Sequence, residues 1–443
     1  MKIALIAMSG LRAYDAELTR LGMTLPGFVE RSRVIASLPS LSLLTLAGLT
    51  PERHEVSYHE VAVIRALGEL PECDLAAVST YTAQAKEAYE LAGRYQAAGV
   101  PTVIGGLHAT LIPEDALPHV DSIVAGEGEL AWPRIIKDFE RGRLERFYDY
   151  RGQEFDLSRA PMPRFDLLEP ERYNRLTVQT QRGCPWRCEF CAASIRLTSR
   201  YKVKPVQKVM AEIREIKKIW PRPYIEFTDD NTFVNKGHSK ALLRALAEED
   251  VRWFTETDIS VAEDEELLDL MRESGCAQVL IGLESPNAAG LEGLEQRRNW
   301  KLKRLGSYKE AIRRIQSHGI AVDGCFVLGL DGDTARTFDD VEEFVSESGL
   351  QQVQITVMTA FPGTPLYERL RAEGRLLEER AWEKTTLFDV NIQPKQMSVA
   401  ELRRCFIELG LRLYANEAKA QRMASFRRHV REGRRGGRDS ALD

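Results

Sequence analysis

Three cysteines, Cys184, Cys188 and Cys191, stand close together in the run RGCPWRCEFCAAS, with the spacing Cys-x3-Cys-x2-Cys. Thiolates select zinc or iron-sulfur centres, and this spacing lets three of them converge on one centre. A structural zinc site is closed by a fourth protein ligand, and no other Cys or His lies near this run. Three thiolates on a four-iron cluster leave one iron open to a small molecule. The other four of the seven cysteines, Cys73, Cys276, Cys325 and Cys405, are scattered singly through apolar contexts and read as core residues. An odd thiol count, with an N-terminus that lacks the length and cleavage site of a signal peptide, predicts a reducing, cytoplasmic location without a disulfide framework.

The elements that must position this loop follow from periodicity. From residue 1 to 141, short apolar runs such as KIALIA, DLAAVST, PTVIGG and VDSIVAG alternate with helical periods, which predicts a doubly wound, Rossmann-like α/β domain. Ligands of such sheets sit at the carboxyl ends of the strands. Here those ends carry IGGLHAT, with Gly105, Gly106, His108 and Thr110, and AGEGE, with Gly126, Glu127, Gly128 and Glu129. Residues 142–174 are proline-rich without a sustained period and read as a linker. Residues 175–373 repeat a strand-helix unit about six times, enough for a partial (β/α)6 barrel but too few to close an eight-stranded one. The cysteines fall on the loop after the first of these strands, where barrel active sites gather. A helical subdomain is expected over 374–420, followed by a basic, disordered tail over 421–443. The net charge of −5 excludes a globally basic nucleic-acid binder, and no run is apolar enough to span a membrane.

With the three cysteines, the aromatic Phe190 before the last of them and a six-unit barrel, the chain resembles the radical S-adenosylmethionine enzymes. GGLHAT and GEGE in the first region are similar to the subgroup with an N-terminal cobalamin-binding domain. The resemblance implies a 4Fe-4S cluster on Cys184, Cys188 and Cys191 with Phe190 packed over it, and S-adenosyl-L-methionine on the free iron. Thr228, Asp229 and Asp230 in FTDDN stand where the family places acceptors for the methionine amino group. Glu256, Asp258 and Ser260 in TETDIS share one face by alternation, so Glu256 and Asp258 are expected to point into the barrel toward the ribose. Glu284 in IGLES is placed similarly, and Gly329 is expected beside the adenine. Gly105, Gly106, His108, Thr110, Gly126, Glu127, Gly128 and Glu129 are the expected cobalamin contacts. The run that supplies an axial His to cobalt in many cobalamin proteins is absent, so His108 is expected to shape the pocket without ligating the metal.

No single catalytic side chain is singled out. The resemblance implies methylation of an unactivated carbon or a phosphinate: one S-adenosylmethionine methylates the cobalamin, and a second supplies the radical that activates the substrate. A small-molecule or lipid-like substrate and a reducing partner such as flavodoxin or ferredoxin are implied, and nucleic acid is not expected. One alternative keeps both cofactors and performs ring closure or oxidation in lipid, pigment or natural-product synthesis. A non-catalytic cobalamin or iron-sulfur sensor is the alternative of another class.

Overall fold

The first strand, β1 (Lys2–Met8), is apolar at successive positions because both of its faces are covered. Ile3 and Leu5 pack with Leu43 and Trp132 on one side of the sheet, and Ala4 and Ile6 with Leu91 and Tyr95 on the other. In the computed structural model, which describes residues 1–21, 38–192 and 200–439, this strand lies in a six-stranded parallel sheet. Its neighbours are β2 (Glu55–Val61), β3 (Leu75–Ser79), β4 (Thr102–Gly105), β5 (Ser122–Ala125) and β6 (Phe147–Asp149), in the order β2-β1-β3-β4-β5-β6. Strand order reverses between β1 and β3, which opens a ligand crevice at their carboxyl ends. The sheet thus runs past residue 141, because Phe147–Asp149, within the expected linker, pairs with Ile123–Ala125.

A second parallel sheet follows in chain order: β7 (Leu176–Val178), β8 (Tyr224–Phe227), β9 (Arg252–Thr257), β10 (Cys276–Glu284), β11 (Ala321–Leu328) and β12 (Gln352–Val357). β7 and β12 are its two edges, so the barrel is open, as the unit count predicts. Alternation divides each strand. Ile225 and Phe227 join the core shared with the helices, as do Val279 with Ile281 and Val353 with Ile355. The other set, including Thr177, Glu226, Glu256 and Asp323, faces the barrel interior. Outside, α1 (Val206–Ile219) covers the sheet with Val209, Met210, Ile213 and Ile216, all buried, each worth about 2 kcal/mol in area removed from water.

The chain ends in α2 (Val399–Leu413), capped by the Ser398 side chain on Glu401 N, and α3 (Asn416–Asp439). The second of these helices corrects the expected disordered tail over its described part; residues 440–443 lie outside the described residues. Its basic composition conceals an inward face: Arg422 and His429, seven positions apart, are both buried, and Gln316 Nε2 lies 2.9 Å from His429 Nδ1. The C-terminal third also grips the first domain. Arg403 Nε lies 2.6 Å from Asp15 Oδ2, and Asp389 accepts hydrogen bonds from Tyr14 N and Asp15 N, each 2.7 Å long.

Candidate active site

The loop after β7 carries the three cysteines and is held by carboxylates from the next strand ends. Asp229, just after β8, accepts from Thr180 N and Gln181 N through Oδ1, and from Thr180 Oγ1 and Thr232 Oγ1 through Oδ2. Burial pushes its carboxyl up to about 6 in spite of these bonds. Its acceptor positions are thus filled by the protein, so Asp229 braces the loop, contrary to the expected role toward a methionine amino group. Asp230 Oδ2 accepts from Gly183 N at 2.9 Å, one residue before Cys184. Asp258 Oδ2 accepts from Trp186 Nε1 at 3.0 Å and Asn231 Nδ2 at 2.8 Å. Ser260 does not continue the alternation: it lies in a 3-10 turn over Ile259–Glu263 and donates to Asp258 Oδ1. Thr228 is half-buried at the same strand end as the aspartates. Phe190 packs beside an apolar cluster that includes Leu291, Leu294 and Leu366.

The three cysteines are half-buried. Burial raises Cys184 to about 12, with Cys191, Asp230 and Asp258 adding to the rise. Burial likewise raises Cys188 to about 12, although Lys301 opposes it. Three thiols in one another's electrostatic reach, in surroundings that disfavour free anions, fit a cationic centre that would bind them as thiolates. Among the described residues, no three His, Cys, Asp or Glu side chains close on a point as a single metal ion requires. A cluster of several irons holds its ligands further apart.

Glu284 ends β10 with φ of 65°, the left-handed region that a glutamate adopts only when its surroundings enforce it. Its Oε1 lies 2.6 Å from Lys301 Nζ. Burial pulls Lys301 down, but Glu284 and then Cys188 outweigh it and leave the ammonium raised. Lys301 is invisible as a site residue in the sequence, because it lies 17 positions beyond Glu284 in a basic run. Trp186 and Trp300 escape notice for a similar reason; their ring centroids are 4.6 Å apart, between the cysteine loop and the segment carrying Lys301. Gly329 has φ of 88°, and a side chain there would meet Leu402 Cδ2 at 2.8 Å, so α2 and not an adenine accounts for this glycine.

In the first domain the expected cobalamin contacts divide. Gly106, with φ of 103°, sits where a Cβ would be 2.9 Å from Thr80 O, and Gly126, with φ of 100°, is crowded by Tyr150. Gly105 and Gly128 have only ordinary contacts, to Val124 and Leu46. Thr110 is turned inward, donating to Gly106 O and accepting from Gly126 N, and so staples the two strand ends together. His108 is fully buried, with Nε2 2.8 Å from the Tyr89 hydroxyl and 3.2 Å from Asp115 Oδ2. Trp382 stands edge-on to its ring and donates to the same carboxylate, so His108 is a packing residue rather than part of a ligand pocket. Tyr81, just after β3 at the crevice, is 60% exposed.

Glu127 and Glu129 also depart from the expected role. Arg182, two residues before Cys184, bonds Glu127 Oε1 at 2.5 Å and Glu129 Oε1 at 2.8 Å, and Lys202 Nζ reaches Glu127 Oε1 at 2.7 Å. Burial lowers the Arg182 guanidinium, but Glu129 and Glu127 outweigh it and hold it raised. The clasp joins the carboxyl end of β5 to the loop after β7, so the ligand edges of the two sheets face each other. Its signal in the sequence is only an arginine beside the cysteine motif.

Residues 178–345 match the Radical SAM superfamily and residues 34–136 the B12 binding domain; residues 364–441 match a domain of unknown function, DUF4070. The chain is 27% identical to bacteriochlorophyllide d C-12(1)-methyltransferase of Chlorobaculum tepidum over 79% of this chain and 76% of that protein. It is 23% identical to the anaerobic magnesium-protoporphyrin IX monomethyl ester cyclase of Rubrivivax gelatinosus over 73% of this chain and 62% of that one. Among solved structures, the cobalamin-dependent S-adenosylmethionine radical enzyme OxsB shares the fold, with a TM-score of 0.66 at 14% identity, over 97% of this chain and 71% of OxsB.

Proposed function

This chain is a radical SAM enzyme with a B12-binding domain, whose cofactors are a 4Fe-4S cluster, S-adenosylmethionine and cobalamin, and from that premise we propose that it is a methyltransferase acting on an unactivated carbon or phosphorus centre of a small-molecule or lipid-like substrate. The observation that carries the reading is the clasp of Arg182 on Glu127 and Glu129, through which the two ligand-binding edges look onto one space. Bound there together, the cofactors supply one-electron cleavage of S-adenosylmethionine and a methyl group ready for transfer.

The chain's own residues have separable tasks. Cys184, Cys188 and Cys191 hold the cluster, and Asp229, Asp230 and Asp258 fix the loop that presents them. The Glu284–Lys301 pair at the end of β10, with Thr228 and Asp230 just after β8, offers both charges that a zwitterionic amino acid needs. Gly106 and Gly126 let the chain turn tightly at the carboxyl ends of β4 and β5, where a side chain would strike the backbone of Thr80 and Tyr150. A flavodoxin- or ferredoxin-type protein is the expected electron donor. The methylating relative from Chlorobaculum tepidum supports the transfer reading, and the cyclase from Rubrivivax gelatinosus supports ring closure as the second one.

The test is anaerobic turnover of reconstituted enzyme with methyl-labelled S-adenosylmethionine and candidate substrates, followed by mass spectrometry. Methyl transfer adds one labelled methyl per product. A product that has lost hydrogens and carries no label would replace this reading with the second.

A further inference from the structure

Barrel interiors are ordinarily filled by layers of branched apolar side chains. Here the inward face mixes carboxylates with apolar side chains such as Phe254 and Leu280. Strand register sets Glu226 beside Thr177, and Glu256 level with Leu280 and then Asp323, with Cys325 two residues further along the last of these strands. Glu226 is compensated by an ion pair with Arg175. Among the described residues, Glu256 and Asp323 have no such partner.

The Glu256 side chain is exposed, yet burial raises its carboxyl to about 8, because what it is free to face is the hollow of the barrel; Glu226, Asp230 and Asp323 push in the same direction. Asp323 is 2% exposed, and its Oδ1 has no hydrogen-bond partner among the described residues, while Oδ2 receives only a long bond of 3.4 Å from Gln278. Burial raises it to about 8, and Arg422, which approaches from α3, lowers it only in part. Arg422 makes no ion pair with it and donates instead to Leu413 O at 2.8 Å. Independently of the carboxylates, Thr177 is 2% exposed, and its Oγ1 too is unpartnered among the described residues. It points inward, since its neighbours Leu176 and Val178 lie in the helix-side core. Buried polar atoms without partners are rare, and Thr177 and Asp323 carry one each on inward strand faces, two residues out of level in the register, which with the uncompensated carboxyl of Glu256 indicates a missing donor.

We propose that Glu256 and Asp323, with Thr177, bind the cationic end of the molecule to be methylated, an ammonium or guanidinium group. Calling that molecule the substrate rests on the methyl-transfer reading above. Glu256 lies two residues below Asp258 on one strand face, about 7 Å deeper than the ring of groups that holds the cysteine loop. A cation held there leaves the remainder of the molecule directed at the mouth, where the cofactors meet. The donor count agrees: an ammonium has three N–H groups and a guanidinium five, against acceptors on Glu256, Asp323 and Thr177. A carboxylate or phosphate at this depth would add a further anion beside Glu226, Asp230 and Asp323, which already push the Glu256 carboxyl up.

The test uses anaerobic holoenzyme with S-adenosylmethionine and three four-carbon probes: 1,4-diaminobutane, butane-1,4-diol and succinate. Binding is followed by calorimetry and by the shift in Tm, so no turnover is needed. The diamine should bind and stabilise the protein, and the diol and succinate should not. Glu256→Gln and Asp323→Asn should each weaken the diamine about tenfold or more, the scale of one charged contact, with iron content, cobalamin uptake and S-adenosylmethionine affinity unchanged. Absence of diamine binding, equal binding of the diol or succinate, or undiminished binding in both variants would overturn the proposal. So would a Glu256→Gln variant that keeps the diamine and loses S-adenosylmethionine, which would assign Glu256 to the nucleoside. If the labelling experiment finds no methyl transfer while the diamine binds as expected, the function assigned to the barrel fails and the cation site stands.

Discussion

Asp229 and Asp230 are neighbours in the chain with different surroundings. Asp229 is filled with hydrogen bonds from the loop it braces, whereas Asp230 lies at the mouth with one oxygen on Gly183 N. Asp229→Ala should therefore strip two backbone N–H groups of their acceptor and destabilise the protein by about 2–4 kcal/mol in urea titration. Cys184→Ala, Cys188→Ala and Cys191→Ala should each lose the iron of anaerobically made protein, about four per chain, with less effect on stability. Cys73→Ala should change neither. Iron retained in any of the three cysteine variants would remove that residue from the ligand set. The carboxyl of Asp323 carries a pH signature. Its native pKa, raised to about 8, exceeds the usual carboxylate value, so the native state holds a proton that the unfolded chain has released. Its contribution is fully present below about pH 4 and is lost as pH rises through about 8. Asp323→Asn should flatten the fall in stability between about pH 5 and 8, and an unchanged slope would contradict the burial argument.

At the scale of elements, glycines separate backbone need from ligand need. Gly106→Ala should be costly, since φ is 103° and Thr80 O lies 2.9 Å from the added methyl; Gly128→Ala, with Leu46 at 3.5 Å, should fold normally. Thermal midpoints of the two variants measure the difference, and equal midpoints would show that the strand end relaxes freely. The same contrast marks what is legible in the sequence. Strands such as KIALIAM and the alternation of TETD are local patterns, and they predict both sheets and the inward set of side chains. Partners are not local. That Glu127 meets Arg182, that Glu284 meets Lys301, and that His108 turns inward onto Trp382 depend on elements 17 to more than 250 residues apart. The expected tail fails because composition averages over a helix, whereas burial of Arg422 and His429 needs only one face.

Across the whole molecule, contacts between distant parts set the domains edge to edge, among them Arg182 with Glu127 and Glu129, Arg403 with Asp15, and Trp382 with Asp115. Arg182→Met should leave Glu129 buried without its counter-charge and Glu127 with Lys202 alone, a loss of about 3–5 kcal/mol. Proteolysis in the linker, 150–174, and the urea midpoint report it together. If the midpoint is unmoved, the clasp is dispensable for docking. The clasp also bears on how the protein is made. Arg182, two residues before Cys184, ties the loop that carries the thiols to the first domain, so iron delivery and docking act on the same segment of the nascent chain. A chain that docks first fixes the loop while its half-buried thiols are still empty; a chain metallated first docks with a finished cofactor. Yield of active enzyme is then a partition ratio between two rates, and slowing docking with Arg182→Lys, which keeps the charge and loses the fork, should raise the iron recovered per chain during reconstitution.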